Sequence, residues 1–374
     1  MATAPHTHTD WIRMSMIAKP KNKQTAFEIF RALAVSMVLV GHFTDAAQDI
    51  PLLAKKIGFA FGYYGIPLFF IISGFLLTAS LVSILKNKHC SFTKVCGVFL
   101  EKRFLRIYPA YLVSLIISAI YLDSSAFYFL VHFFNVHNLF DGYNRSINVV
   151  YWTLAVEFQW YLFAPLLIML FIKNTIQVQV ALLMVFILLS IVLRLYFFNE
   201  YLDNKYSLSS LVWVGNDQLY IHLYNFLIGV VLYQFRNITI KIHLSLLLFL
   251  MAVLFLIGYV ESDLISGINN YNEQTSQYRI LLGYVAILIL AFIVFACLHV
   301  EISRVPYQVI SFISLVSYSL YLYHLPILGF FKAYSLVWYI YLPVFLFSSI
   351  FIAALSYYLI EAPFLRYSSS LNRR

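Results

Sequence analysis

Arg31 and His42 stand eleven residues apart in an otherwise apolar stretch, which runs from Phe27-Glu28-Ile29-Phe30-Arg31 to Gly41-His42-Phe43-Thr44-Asp45. At about 100° per residue this spacing is three turns plus roughly 20°. A helix here puts both side chains on one face, about 16 Å apart along its axis. Polar and ionisable side chains at membrane depth are costly, so each is a functional candidate, and a histidine there is placed for proton chemistry. Glu28 lies one turn before Arg31 and is placed to pair with it; Asp45 lies one turn past His42 and is placed to orient the imidazole. The same residues also read as a charged helix end followed by an interfacial histidine, and spacing alone leaves both readings open.

Four further groups of residues are candidates for chemistry. Lys102-Arg103-Phe104-Leu105-Arg106-Ile107-Tyr108-Pro109 is a compact basic element in which Arg103 and Arg106 are i, i+3 neighbours. Such a cluster suits phosphate groups, and it equally suits anionic lipid and the fixing of membrane orientation. Glu157 sits inside the apolar run Tyr151-Trp152-Thr153-Leu154-Ala155-Val156-Glu157, where a carboxylate needs a cationic partner or a raised proton affinity. Arg31, Arg194 and His42 are available partners. His324 precedes Pro326 in Ser317-Tyr318-Ser319-Leu320-Tyr321-Leu322-Tyr323-His324, and it either faces a pocket or satisfies itself at an interface. Gly65 and Pro67 predict a broken helix, and Ser73-Gly74 a close backbone approach. His132, His137, His222 and Asp217 are pocket candidates on the opposite side from the basic element.

The elements that must position these residues are membrane spans. The chain has 374 residues, 62% hydrophobic and only 11% charged, against about 25% charged in soluble proteins. Its mean hydropathy of +0.83 identifies an integral membrane protein. Apolar runs of about 20 residues or more fall near 26–46, 57–85, 105–122, 149–172, 177–198, 211–235, 242–260, 280–299, 309–331 and 337–360. The expected fold is therefore an all-α bundle of about ten transmembrane helices. The sixth run is the weakest, because Asn216, Asp217, Gln218 and His222 interrupt it, and 126–140 is too short to span and reads as interfacial or re-entrant.

An even span number puts both termini on one side. Of the 25 Lys and Arg residues, only Lys55, Lys56, Arg145, Lys205, Arg279 and Lys332 fall on the other side. Arg31 and Arg194 lie within spans, which leaves seventeen on the terminal side and predicts cytoplasmic N- and C-termini. This sidedness accounts for most of the +9 net charge without nucleic acid. Cys90, Cys96 and Cys297 show neither metal-ligand spacing nor a disulfide framework, so no metal is expected. The first 24 residues lack the apolar core of a signal peptide, and the expected organisation is an N-terminal tail 1–24, a membrane domain 25–363 and a C-terminal tail 364–374.

Taken in order, these pieces resemble the acyltransferase-3 family of integral membrane acyltransferases, from about Phe27 to Pro363. Arg31 and His42 match its Arg-x10-His first helix, and Pro67 to Leu76 its second. Lys102 to Pro109 match its Arg-x-x-Arg-Ile-x-Pro element, and Trp152 to Tyr161 its Trp-Ser/Thr-Leu-x-x-Glu segment, with Trp160 where Phe is commoner. Ser317 to His324 and the closing Tyr358-Leu359-Ile360-Glu361-Ala362-Pro363-Phe364 match its last two spans.

The resemblance implies transfer of an acyl group, usually acetyl, from cytosolic acyl-CoA to a hydroxyl of a cell-envelope glycan or lipid-linked glycan at the inner (plasma) membrane. Acetyl-CoA is then a donor substrate and no cofactor is permanently bound. His42 becomes the expected base, with Asp45 or Glu157 stabilising its imidazolium. Arg103 and Arg106 become partners of CoA phosphates beside Lys102, with Arg31 at the donor site. Oxyanion donors are expected from Arg31 or from backbone N–H groups at the broken second span. Ser73, Trp152, Tyr323 and His324 are the pocket candidates. Some members add an extracytoplasmic hydrolase-like domain. This sequence ends about 11 residues after Pro363, so direct transfer is the expectation. The competing readings are a multi-span transporter or glycan flippase, and an inactive scaffold of the same shape.

Overall fold

The computed structural model describes residues 22–87, 91–238, 243–266, 273–298 and 307–370. Among these residues the chain is helical and forms no strand. In hydrocarbon every backbone polar group must be satisfied within its own segment or by a neighbour, which a bundle of helices achieves. The helices are α1 (Asn22–Ala46), α2 (Leu52–Asn87), α3 (Phe92–Tyr121), α4 (Ala126–Phe133), α5 (Tyr151–Lys173), α6 (Ile176–Leu202) and α7 (Leu208–Asn216). They continue with α8 (Leu219–Gln234), α9 (Leu244–Ser266), α10 (Glu273–Cys297), α11 (Tyr307–Lys332), α12 (Trp338–Ser356) and α13 (Ala362–Ser370). A 3-10 turn at His137–Leu139 follows α4, and a π turn at Tyr357–Glu361 joins α12 to α13.

Among the described residues, nine helices are long and apolar enough to cross a membrane. The tenth expected span, 211–235, is two pieces: α7 ends at Asn216 and α8 begins at Leu219. The polar residues noted there do break it, because the buried Asp217 carboxylate turns aside to take an arginine. Residues 126–140 form the short α4 and its 3-10 turn rather than a span. The expected tails lie mostly outside the described residues: 1–21 and 371–374 are not described, and α1 and α13 take up the remainder. Lys19, Lys21, His6, His8, His89, Cys90 and His299 are also outside them.

Helix α2 is central and packs against α1, α8 and α9, with α3, α5 and α10 closing around it. Gly74 of α2 lies against α8 so closely that a Cβ there would come within 2.0 Å of the Phe226 carbonyl oxygen. Gly229 of α8 faces back, and its Cβ would meet the Ile71 oxygen at 2.1 Å. Without a hydrophobic drive between helices in lipid, such backbone approach is the source of van der Waals contact.

The expected break at Gly65 and Pro67 does not occur, since α2 runs unbroken through both. Pro67 removes one amide from the ladder, but tight packing on α1 holds the helix, and a Gly65 Cβ would meet Val38 Cγ2 at 2.8 Å. The proposed oxyanion donors at a broken second span are therefore lost, because those amides are spent inside the helix.

Three apolar clusters build the interior. One joins α1, α2, α8 and α10 around Leu68, Ile71 and Tyr64; another joins α1, α3, α11 and α12 around Tyr111, Leu322 and Phe345; the third joins α2, α3, α5 and α8 around Trp160 and Phe226. The periphery stays apolar too. On α6, Val178, Val185, Leu188 and Val192 are exposed, a face that lipid covers.

Candidate functional site

Two cavities lie along α2 and share Ile66 and Tyr321 in their linings. The first, about 110 Å³, is the basic cavity, lined by Arg31 from α1, Ser73 from α2, Arg103 and Arg106 from α3, and Glu157 and Tyr161 from α5. The second, about 540 Å³, is the histidine cavity, lined by His42 and Asp45 from α1, Lys55, Lys56, Phe59 and Tyr63 from α2, Arg145 from the segment before α5, and Trp152 from α5. Arg31 and His42 share a face of α1, as their spacing predicts, and each opens to a different cavity. Tyr321, whose hydroxyl lies 2.6 Å from Thr153 Oγ1, stands at the junction.

In the basic cavity Glu157 accepts hydrogen bonds from Ser73 Oγ (3.3 Å) and from the Tyr161 hydroxyl. Three cations therefore face one carboxylate that is already hydrogen-bonded. Arg103 donates through Nη2 to Ser80 Oγ (3.1 Å) and lies over the Phe99 ring, while its buried Nε has no protein partner. Such a set, with an unspent charged donor, suits phosphate or a developing oxyanion. Lys102 is not among the residues lining this cavity. Glu157 does not approach His42; its hydrogen bonds hold it in the other cavity.

In the histidine cavity His42 Nδ1 lies 2.8 Å from Nε2 of the fully buried His324, with the rings stacked 9° from parallel. His324 Nδ1 lies 2.8 Å from the Tyr321 carbonyl oxygen and 3.2 Å from that of Leu320. A carbonyl only accepts, so Nδ1 of His324 carries its proton and the neutral ring accepts at Nε2. His42 must then donate from Nδ1, which leaves a lone pair on its Nε2. Asp45, expected to orient His42, is exposed at the cavity lining while the orienting hydrogen bond goes to His324. The interfacial reading of His324 is likewise replaced, because the turn of α11 before Pro326 buries the ring against α1.

Arg145 is the main residue that sequence reasoning passed over. Its Nε and Nη2 each donate at 2.7 Å to the two carboxylate oxygens of Asp217, which is wholly buried. Asn144 Nδ2 and Asn216 Nδ2 donate to the same carboxylate at 2.6 and 3.0 Å. Arg145 also lies over the Trp152 ring, 5.8 Å from its centroid. The available signal was its place among the few Lys and Arg residues on the cation-poor side.

The remaining candidates are structural by position. His222 Nε2 donates to the Asn216 carbonyl at 2.6 Å, and Tyr323 packs among apolar residues of α11 and α12. His132 and His137 stack at 4.0 Å outside the spans; burial holds His132 down to about 4 and His137 well below its ordinary value, so both are neutral. Arg194 lies over the Tyr284 ring and lines neither cavity, though it reaches Tyr63 in the wall of the histidine cavity. In the closing segment, Ser319 Oγ bridges Ser356 Oγ (2.7 Å) and the buried Glu361 carboxylate of the π turn.

Comparison with known proteins gives two matches. A family described as "Acyltransferase domain" matches residues 24–361, nearly the whole chain. An uncharacterized protein of Haemophilus influenzae is 31% identical over 205 residues, covering 48% of this chain and 77% of the relative. No solved structure matches.

Proposed function

From the premise that this chain belongs to the acyltransferase-3 family of membrane acyltransferases, we propose that it moves an acetyl group from acetyl-CoA to a hydroxyl of a cell-envelope glycan or lipid-linked glycan. The observation that carries this reading is the 2.8 Å contact between His42 Nδ1 and His324 Nε2, which leaves His42 Nε2 unprotonated on a ring that lines a cavity. A hydroxyl is a poor nucleophile until a base takes its proton in the transition state, and such a ring is built for that step.

In the proposed reaction the donor enters through the basic cavity. Arg103 and Arg106 attract CoA phosphates, with Lys102 nearby, and the pantetheine arm passes inward beside Ser73 and Glu157. The acceptor occupies the larger cavity. His42 Nε2 takes the hydroxyl proton as oxygen attacks the thioester carbon near the junction at Ile66 and Tyr321. Arg31 stabilises the oxyanion from the donor side. The C–S bond then breaks, and the imidazolium returns the proton to the departing thiolate, giving the ester and free CoA. Asp45, at the lining of the same cavity, steadies the imidazolium through space rather than by orienting the ring. The excess of Lys and Arg on the terminal side supports a donor site facing the cytoplasm and residence in the inner membrane.

The deciding experiment uses the purified full chain in lipid nanodiscs with radiolabelled acetyl-CoA and envelope glycan. His42→Ala should lower transfer by about 10²-fold to 10⁴-fold while the protein stays folded and inserted. Retained transfer would remove His42 from the reaction. Arg103→Ala combined with Arg106→Ala should raise the KM for acetyl-CoA far more than that for the acceptor; an unchanged donor KM would remove both arginines from the donor site.

A further inference from the structure

The side of the bundle that carries His42 is poor in cations: its sequence segments hold only Lys55, Lys56, Arg145, Lys205, Arg279 and Lys332. Three of these six, Lys55, Lys56 and Arg145, line the single cavity that contains His42. Lys205 lies outside that cavity, exposed and paired with Glu200 at 2.8 Å. Topology explains why a membrane protein keeps cations off this side, and it gives no reason to gather half of those remaining around one cavity.

The three are not equivalent. Arg145 is a fixed group: Asp217 takes Nε and Nη2 at 2.7 Å each, and Trp152 lies beneath the guanidinium. Asp217 is wholly buried and itself anchored by Asn144 and Asn216, so the arginine is held from behind and keeps its Nη1 donors for what enters the cavity. Lys55 and Lys56 stand at the start of α2, half-buried, with Lys56 5.0 Å from the Tyr259 ring centroid. Among the described residues of the lining Asp45 is the one carboxylate, and the Asp217 carboxylate is taken up by Arg145. Phe59, Tyr63 and Tyr321 supply flat apolar surface of the kind on which a sugar ring rests.

We propose that this cavity takes an acceptor saccharide bearing an anionic group, a phosphate or a carboxylate, bound between Arg145 Nη1 and the ammonium groups of Lys55 and Lys56, with its hydroxyl toward His42. The proposal rests on the acyl-transfer reading and narrows its substrate class. A phosphate would be the link between a sugar and its lipid carrier; a carboxylate would belong to an acidic sugar.

Equilibrium dialysis of radiolabelled glucose, glucuronate and glucose 1-phosphate against the full chain in uncharged nanodiscs distinguishes these. An anionic sugar should bind about fivefold or more tightly than glucose, the preference should shrink as salt is raised, and the combination Lys55→Gln with Lys56→Gln should remove most of it. Arg145→Gln should act likewise, and because it leaves Asp217 buried without its partner, the lysine pair provides the test that does not depend on that fold. Stronger retention of glucose 1-phosphate identifies the lipid link, and stronger retention of glucuronate the acidic sugar. Equal binding of all three sugars, or a preference untouched by the lysine pair, would overturn the proposal. CoA release from acetyl-CoA, measured alongside, separates the two readings. His42-dependent release without discrimination by charge sinks the anion site alone. Discrimination by charge without any release sinks acyl transfer alone.

Discussion

The base proposed for the reaction is defined by what holds its other nitrogen, and for His42 that partner is a second histidine. His324 is fixed by the Tyr321 carbonyl at 2.8 Å, so it offers His42 an acceptor without adding a charge to the interior. A carboxylate in its place would have to be desolvated, which is costly at membrane depth. His324→Phe should therefore lower kcat by about tenfold to hundredfold with little change in either KM, because the wrong tautomer of His42 becomes accessible. His324→Gln, which keeps an acceptor oxygen, should recover part of the loss. Steady-state kinetics on the two variants checks this, and a Phe variant with the parent kcat would show that His324 does not set the tautomer. The motif Ser317 to His324 marked the residue in the sequence, but neither its partner nor its burial was legible there. A contact between residues 282 positions apart depends on how α11 lies on α1.

At the level of elements, α2 carries the greatest constraint. It touches α1, α8 and α9 and contributes Ile66, which borders both cavities, so its register fixes where the two cavities meet. Gly74 sets that register against α8. Gly74→Ala should destabilise the protein by about 1–3 kcal/mol or more, since backbone rather than a flexible side chain occupies the space. Gly97→Ala in α3 meets nothing within 4 Å and should be neutral or slightly stabilising, by up to about 1 kcal/mol. Thermal unfolding in detergent compares the two, and equal melting temperatures would refute the close-packing account. Sequence periodicity located the helices well because hydrocarbon demands long apolar runs. It misread Gly65 and Pro67 as a break, because packing against α1 compensates for a missing amide. It correctly doubted the run at 211–235, where Asp217 ends α7 in order to clamp Arg145.

Across the whole molecule, two cavities share Ile66 and Tyr321, with Arg31, Arg103 and Arg106 at one and the histidine pair at the other. In the proposed reaction a donor from one side of the membrane then meets an acceptor from the other without either crossing intact. Ile66→Trp should obstruct the junction, leaving acetyl-CoA affinity within about twofold of the parent while lowering transfer by about tenfold or more. Binding and transfer measured on the same preparation decide this, and full transfer with Trp at position 66 would show that the acyl group takes another path. The membrane environment, the approximate limits of nine of the ten expected spans, the bias of charge between the sequence segments and the family were legible in the sequence alone, because each is written in local composition or in short ordered motifs. Which residues act together was decided by the tertiary structure alone. Asp45 and Glu157 are near His42 in chain or in motif, yet His324 is its partner. Arg145 carries no motif and is held in the cavity that His42 lines by a carboxylate from the break between α7 and α8. Buried polar groups must find partners wherever packing brings them, and in a bundle that choice is made by helix contacts that no local pattern encodes.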